Sequence, residues 1–298
     1  MFEFLDGGML FELNKYYQDL GQTALQTNPK LIIDIYQSYI DMGSEYITTC
    51  NYGFKSLKLD NYLELVKKSV NLGYQVLNKN KNKNKNIKLL GCLPPYYESY
   101  YQGKVTNEFI DFYQNIIYVM ESKVDAFILE TQVSIQHIRA IMPIIVRSEK
   151  NIYISIYPNG EITGTELASL IELYGNRISA ILLNCASFGE IKEYYIKHIQ
   201  HLPLDKYDIK FGFYCNMIDE KKYLSYDGNK TNQVSLLDYK NEENIQKENL
   251  YQFLNKLIVN KNSIMIGGCC GYGIEEMRHL IGLINSYWVL QTSCKSRL

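Results

Sequence analysis

The residues of this 298-residue chain best suited to chemistry are two adjacent cysteines framed by glycines, Gly267-Gly268-Cys269-Cys270-Gly271. Backbone geometry opposes a disulfide ring between neighbouring cysteines. Flanking glycines let the chain turn so that both sulfurs can face one ion. A third thiolate, from Cys185, would complete a three-sulfur set. Zinc favours such soft ligands in tetrahedral geometry, and three protein ligands leave a fourth position open, the mark of a catalytic rather than a structural site. The competing reading is that these thiols are small buried hydrophobes.

These side chains need elements to position them. Apolar runs of strand length recur at Glu3 to Asp6, Tyr46 to Cys50, Ile87 to Leu93, Ala126 to Thr131, Ile152 to Tyr157, Ala180 to Cys185, Lys210 to Cys215 and Ser263 to Cys269. Helical periodicity fills the gaps at Leu31 to Met42, Asn61 to Leu77, Asn107 to Ser122, Ile135 to Val146, Thr165 to Tyr174, Glu190 to His201, Ile245 to Val259 and Ile274 to Leu290. The alternation predicts an α/β fold, a single (β/α)8 TIM-type barrel over residues 1–298, in preference to an open doubly wound sheet. Three segments fall outside the pattern: a Lys/Asn-rich loop at 78–86, a polar loop or lid at 218–244, and a C-terminal tail at 291–298.

In a barrel the chemistry gathers where strands end. Asp6 and Glu130 end the first and fourth runs, where paired carboxylates could do acid/base work or bind an ammonium group; two unrelated solvated acids fit equally well. Cys50, Cys92 and Cys215 also lie near strand ends and read as packing residues, because a fourth thiolate would close a zinc site. No histidine stands where a base or ligand is needed, which argues against a Ser-His-Asp or Cys-His hydrolase. Gly7-Gly8 could offer N–H groups to an anion but matches neither a Walker A loop nor a dinucleotide fingerprint.

Composition excludes other classes. With 31 Lys+Arg against 32 Asp+Glu, the chain has no electrostatic footprint for nucleic acid or an anionic membrane. The acidic opening Met1-Phe2-Glu3-Phe4-Leu5-Asp6 reads against a signal peptide, and no apolar run reaches the roughly 18 residues of a membrane span. Seven cysteines without paired spacings point to reduced thiols and a cytoplasmic protein.

Together these motifs resemble the homocysteine S-methyltransferase family. Leu5-Asp6-Gly7-Gly8-Met9 with Glu12-Leu13, the segment Tyr39 to Tyr52, Gly91-Cys92-Leu93-Pro94-Pro95-Tyr96, Glu130-Thr131, Asn184-Cys185, Tyr214-Cys215-Asn216 and the Cys269-Cys270 signature follow the family's order. The resemblance implies a barrel holding Zn2+ through Cys185, Cys269 and Cys270. Asp6 and Glu130 would hold the ammonium group of homocysteine, and backbone N–H groups near Gly8 and Met9 its carboxylate. It further implies methyl transfer from S-methylmethionine, or S-adenosylmethionine, to the homocysteine thiol. By cation–π chemistry Tyr52, Tyr96, Tyr157 and Tyr214 are candidates to face the onium donor, against the reading that each merely packs. The alternatives are betaine as donor, selenocysteine as acceptor, or a relic that binds zinc and homocysteine without turnover. A homo-oligomer is left open. Leu10-Phe11, Asn51, Cys215, Met217 and Tyr272 depart from the family's usual residues and put substrate preference in question.

Overall fold

Each of the eight apolar runs forms one strand: β1 (Phe2–Phe4), β2 (Tyr46–Thr48), β3 (Lys88–Leu93), β4 (Ala126–Gln132), β5 (Asn151–Ile156), β6 (Ile178–Asn184), β7 (Lys210–Cys215) and β8 (Ile264–Gly268). The computed structural model describes residues 2–17, 21–53, 61–81, 86–217, 247–258 and 263–295. All pairings are parallel, in the order β1-β8-β7-β6-β5-β4-β3-β2. A parallel bridge between Leu5 and Tyr46 brings β1 against β2 and makes the sheet a nearly closed (β/α)8 barrel.

The described helices are α1 (Met9–Asn14), α2 (Gln22–Thr27), α3 (Pro29–Met42), α4 (Tyr62–Lys81), α5 (Asn107–Met120), α6 (Ile135–Ile145), α7 (Gly164–Tyr174), α8 (Phe188–Tyr194), α9 (Lys247–Ile258) and α10 (Ile274–Lys295). The six-residue helices α1 and α2 are too short to leave a periodic signature, and the sequence reading did not anticipate them. α8 starts at Phe188, earlier than expected, because Ser187 and Glu190 form a capping box; it passes into a π-helical turn over Tyr195–Ile199.

Two boundaries need correction. α4 runs through Lys81, into the expected 78–86 loop. The cause is Asn80, which is buried and exchanges amide hydrogen bonds of 3.1 and 3.3 Å with Gln37 of α3. The backbone of α10 is helical through Lys295, so the expected tail at 291–298 begins inside a helix. The expected loop or lid at 218–244 lies outside the described residues.

Alternation along the strands separates two cores. Leu5, Tyr46, Leu90, Ala126, Ile128, Tyr153, Ala180, Leu182, Tyr214 and Met265 fill the barrel interior. A larger cluster, including Ile47, Phe127, Ile154, Leu183 and Phe213, packs the outer face of the strands against the helices. At the N-terminal end Lys210 Nζ contacts both carboxylate oxygens of Glu3 at 2.7 and 2.8 Å, and the Tyr46 hydroxyl donates to the same group. Polar chemistry is thus left to the opposite end. No helix of the described residues is long and apolar enough to cross a membrane.

Candidate metal and substrate site

Cys185, Cys269 and Cys270 converge at the C-terminal ends of β6 and β8, with all three sulfurs within 4.8 Å of one another. The Cys185 and Cys270 sulfurs are 3.9 Å apart. Tetrahedral zinc with bonds of about 2.3 Å sets its sulfurs about 3.8 Å apart, so this donor set fits the ion. Among the described residues no other His, Cys, Asp or Glu group has metal-binding spacing.

The backbone explains the convergence. Cys185 leaves β6 in the left-handed region, at φ 58°, and its N–H donates to the Tyr214 carbonyl at 3.2 Å. Cys269 N–H donates to Cys215 O at 2.9 Å, and Cys270 O accepts from Met217 N–H at 2.9 Å, so the end of β7 and the residues just after it hold both sides of the cysteine pair. Gly271 completes the turn at φ 82°, a conformation that costs glycine little. The turn also rests on Gly8, where an added Cβ would stand 2.4 Å from the Cys269 carbonyl oxygen. Hydrogen bonds from Cys185 and Cys269 hold the Cys270 thiol well below its usual range, while Cys185 and Cys269 are themselves held well above theirs.

Beside the sulfurs lie the two acids. Asp6 Oδ2 accepts from the Thr48 N–H at 2.7 Å and Oδ1 from the Thr48 hydroxyl at 3.3 Å, while the Tyr36 hydroxyl fixes Thr48 through its carbonyl at 2.7 Å. Burial pushes Asp6 up to about 8 against the Thr48 bonds, and the charge of Glu130 adds to the rise. Glu130 Oε1 accepts from the Tyr214 hydroxyl at 2.8 Å, and Ser155 Oγ lies 2.6 Å from that hydroxyl. Burial pushes Glu130 up to about 7 despite the Tyr214 bond. Two acids that resist ionising alone are well suited to a cationic ligand, which would favour both carboxylates.

The remaining expectations separate on geometry. The Gly8 N–H donates to the Tyr272 carbonyl at 2.7 Å and is therefore spent within the fold, whereas Met9 opens α1 with an N–H that has no helical acceptor. Tyr214 is committed to Glu130, and Tyr96 packs among Tyr97, Phe109 and Phe112. Tyr52 shares a 2.8 Å hydrogen bond with Ser99. Cys50, Cys92 and Cys215 are buried and free. Asn51, one of the departures, bonds Cys92 O at 3.0 Å and accepts from Thr49 Oγ1 at 2.6 Å, so its change is absorbed locally.

Sequence reading missed Tyr100, Ser155 and the roles of Thr48 and Thr131. The Tyr100 hydroxyl lies 3.0 Å from Cys185 Sγ, and its ring packs on Tyr157 with centroids 4.3 Å apart. Tyr100, Thr131 and Cys185 are three of the five described non-glycine residues with positive φ. Backbone strain concentrated at one mouth marks a functional site. A cluster of tyrosines in the segment after β3 was the available sequence signal.

The homocysteine S-methyltransferase family model matches residues 3–282. The chain belongs to this family. Homocysteine S-methyltransferases are enzymes, and the barrel described above is shared with solved structures. The metallated form of the Escherichia coli homocysteine methyltransferase MmuM is 17% identical, with a TM-score of 0.67 over 94% of this chain and 96% of that one. Its oxidized form is 19% identical, with a TM-score of 0.68 over 94% of each chain. The apo form gives 17% and 0.67 over 95% of each chain. At these identities the likeness establishes the fold. No curated relative matches the chain.

Proposed function

We propose that this chain transfers a methyl group from S-methylmethionine to the thiol of homocysteine, with S-adenosylmethionine as the lesser donor and zinc as the metal. The observation that carries the reading is the meeting, in one barrel mouth, of three thiols within 4.8 Å and the Asp6 and Glu130 carboxylates. A soft metal and an amino group on one small molecule match that pair of subsites.

Cys185, Cys269 and Cys270 hold the metal. When bound, zinc supplies an open position for the substrate sulfur and makes its thiol acidic at neutral pH. Asp6 and Glu130 take the ammonium group, oriented by Thr48 and Tyr214 respectively. The N–H of Met9 is the backbone donor offered to the carboxylate. The substrate sulfur then attacks the donor methyl in line: a carbon–sulfur bond forms, the methyl–sulfonium bond breaks, and its electron pair leaves with the donor sulfur. With S-methylmethionine both products are methionine. An anionic sulfur meets a cation and charge is neutralised, so excluding water favours the step. The Tyr100 and Tyr157 rings and Tyr52 border the mouth, where aromatic faces suit an onium donor. Clustered reduced thiols suit the cytoplasm.

Methionine formation from homocysteine, measured with S-methylmethionine, S-adenosylmethionine and betaine in parallel, tests the reading. Preference for S-methylmethionine is expected. Turnover with betaine alone overturns the donor assignment, and turnover with none overturns the reaction.

A further inference from the structure

The proposed ammonium subsite has two carboxylates, yet an ammonium group carries three N–H donors. Asn184 is the last residue of β6 and follows Ala180 and Leu182, which face the barrel interior, so strand alternation turns its side chain the same way. It is fully buried, with no accessible surface. Its Nδ2 donates to Thr131 Oγ1 at 2.8 Å, but Oδ1 has no hydrogen-bond partner among the described residues.

A buried amide oxygen left without a donor is costly, and such atoms are rare in folded proteins. The position of this one is informative. Thr131 follows Glu130 directly in β4, so the Nδ2 bond ties Asn184 to the strand end that carries one proposed ammonium ligand. On the other side Asn184 pairs in register with Tyr214, whose hydroxyl donates to Glu130. Asn184 is thus fixed from both neighbours to the Glu130 subsite, with one acceptor unspent.

We infer that Asn184 Oδ1 is the third acceptor for the homocysteine ammonium group, beside Asp6 and Glu130. This rests on the homocysteine reading above. Its logic is a hydrogen-bond count: the pocket withholds one bond in the empty protein and completes it only with a ligand that has a third N–H. Such a site rejects analogues lacking the amino group, because the orphaned oxygen then stays orphaned. Asn184 would act as a binding and selectivity residue, remote from the bond that breaks.

The test is calorimetric titration of zinc-loaded protein with L-homocysteine and with 4-sulfanylbutanoate, which keeps the thiol and carboxylate but lacks the amine. Asn184→Ala and the near-isosteric Asn184→Leu are compared with wild type after matching their zinc content. Loss of about 10- to 100-fold in homocysteine affinity is expected, the range of a hydrogen bond to a charged group. Affinity for 4-sulfanylbutanoate should change less than about threefold. Equal losses for both ligands, or no loss for homocysteine, overturn the inference. If wild type binds neither ligand, the homocysteine reading itself fails, which is a separate outcome. A wild-type structure with L-homocysteine gives a readout independent of the variants: Oδ1 within about 3.2 Å of the ammonium nitrogen supports the assignment, and any other partner for Oδ1 overturns it.

Discussion

The Tyr100 hydroxyl stands 3.0 Å from the sulfur of Cys185, which joins the segment after β3 to the thiol cluster at the end of β6. Both residues have left-handed backbones, at φ 70° and 58°, so the contact is held from both sides by constrained turns. Outer partners of metal-binding side chains commonly contribute about 10–100-fold in metal affinity. Tyr100→Phe keeps the ring packed on Tyr157 and removes only the hydroxyl. We expect zinc affinity to fall about tenfold in competition with a chelator, with the fold intact. Unchanged affinity would reduce the contact to packing.

Asp6 and Glu130 make the empty site a liability whose size depends on pH. Their ordinary values of 3.8 and 4.5 rise to about 8 and about 7 in the fold, chiefly through burial. Between the unfolded and folded values the native state binds more protons than the unfolded chain, so stability falls as pH rises from about 4 to 8. In metal-free protein, Asp6→Asn and Glu130→Gln should each raise stability at pH 8, on the order of 1–3 kcal/mol, with little effect at pH 4. Thermal melts at the two pH values decide it, and destabilisation at pH 8 would refute the charge argument.

In the proposed reading the same pair also governs the pH dependence of substrate binding. An ammonium ligand favours both carboxylates, so its capture should release protons where those groups are still neutral. Homocysteine affinity is expected to strengthen from pH 6 to pH 8. Part of that gain comes from the thiol and should survive in Glu130→Gln. The remainder should disappear. A pH profile identical in wild type and Glu130→Gln would contradict the assignment of Glu130 to the ammonium.

Gly8 offers a steric test of how the cysteine turn is held. A methyl there would stand 2.4 Å from the Cys269 carbonyl oxygen, a backbone atom that cannot swing aside like a side chain. Gly8→Ala should displace the turn and lower zinc stoichiometry while most of the barrel persists. Overpacking of this kind commonly costs about 1–3 kcal/mol. Full zinc content in a well-folded Gly8→Ala protein would show that the turn can shift without losing the site.

Much of this was legible in the chain because barrel strands end where chemistry belongs. Asp6, Glu130, Cys185 and Cys269 each lie at or just beyond the end of an apolar run, so one-dimensional position stood in for three-dimensional proximity. Tyr100 was not legible in this way. It lies on a loop where tyrosines cluster, and that cluster points to the segment while only folded geometry marks which of its tyrosines reaches Cys185. The end of α4 was misread for a different reason. Asn is a weak helix former, and the reciprocal bond between Asn80 and Gln37, far apart in sequence, overrides that local preference. The Gly7-Gly8 pair and the family resemblance point to the Gly8 N–H as an anion donor, whereas Tyr272, over 260 residues away, accepts that bond.

Methionine formation from homocysteine and S-methylmethionine, at graded zinc content and with Cys270→Ser as control, is the most direct test of the central claim. Turnover should rise in proportion to bound zinc, vanish with a chelator, return on adding zinc back, and be absent in Cys270→Ser. Turnover that persists in metal-free protein, or that is missing from fully zinc-loaded wild type, would contradict it.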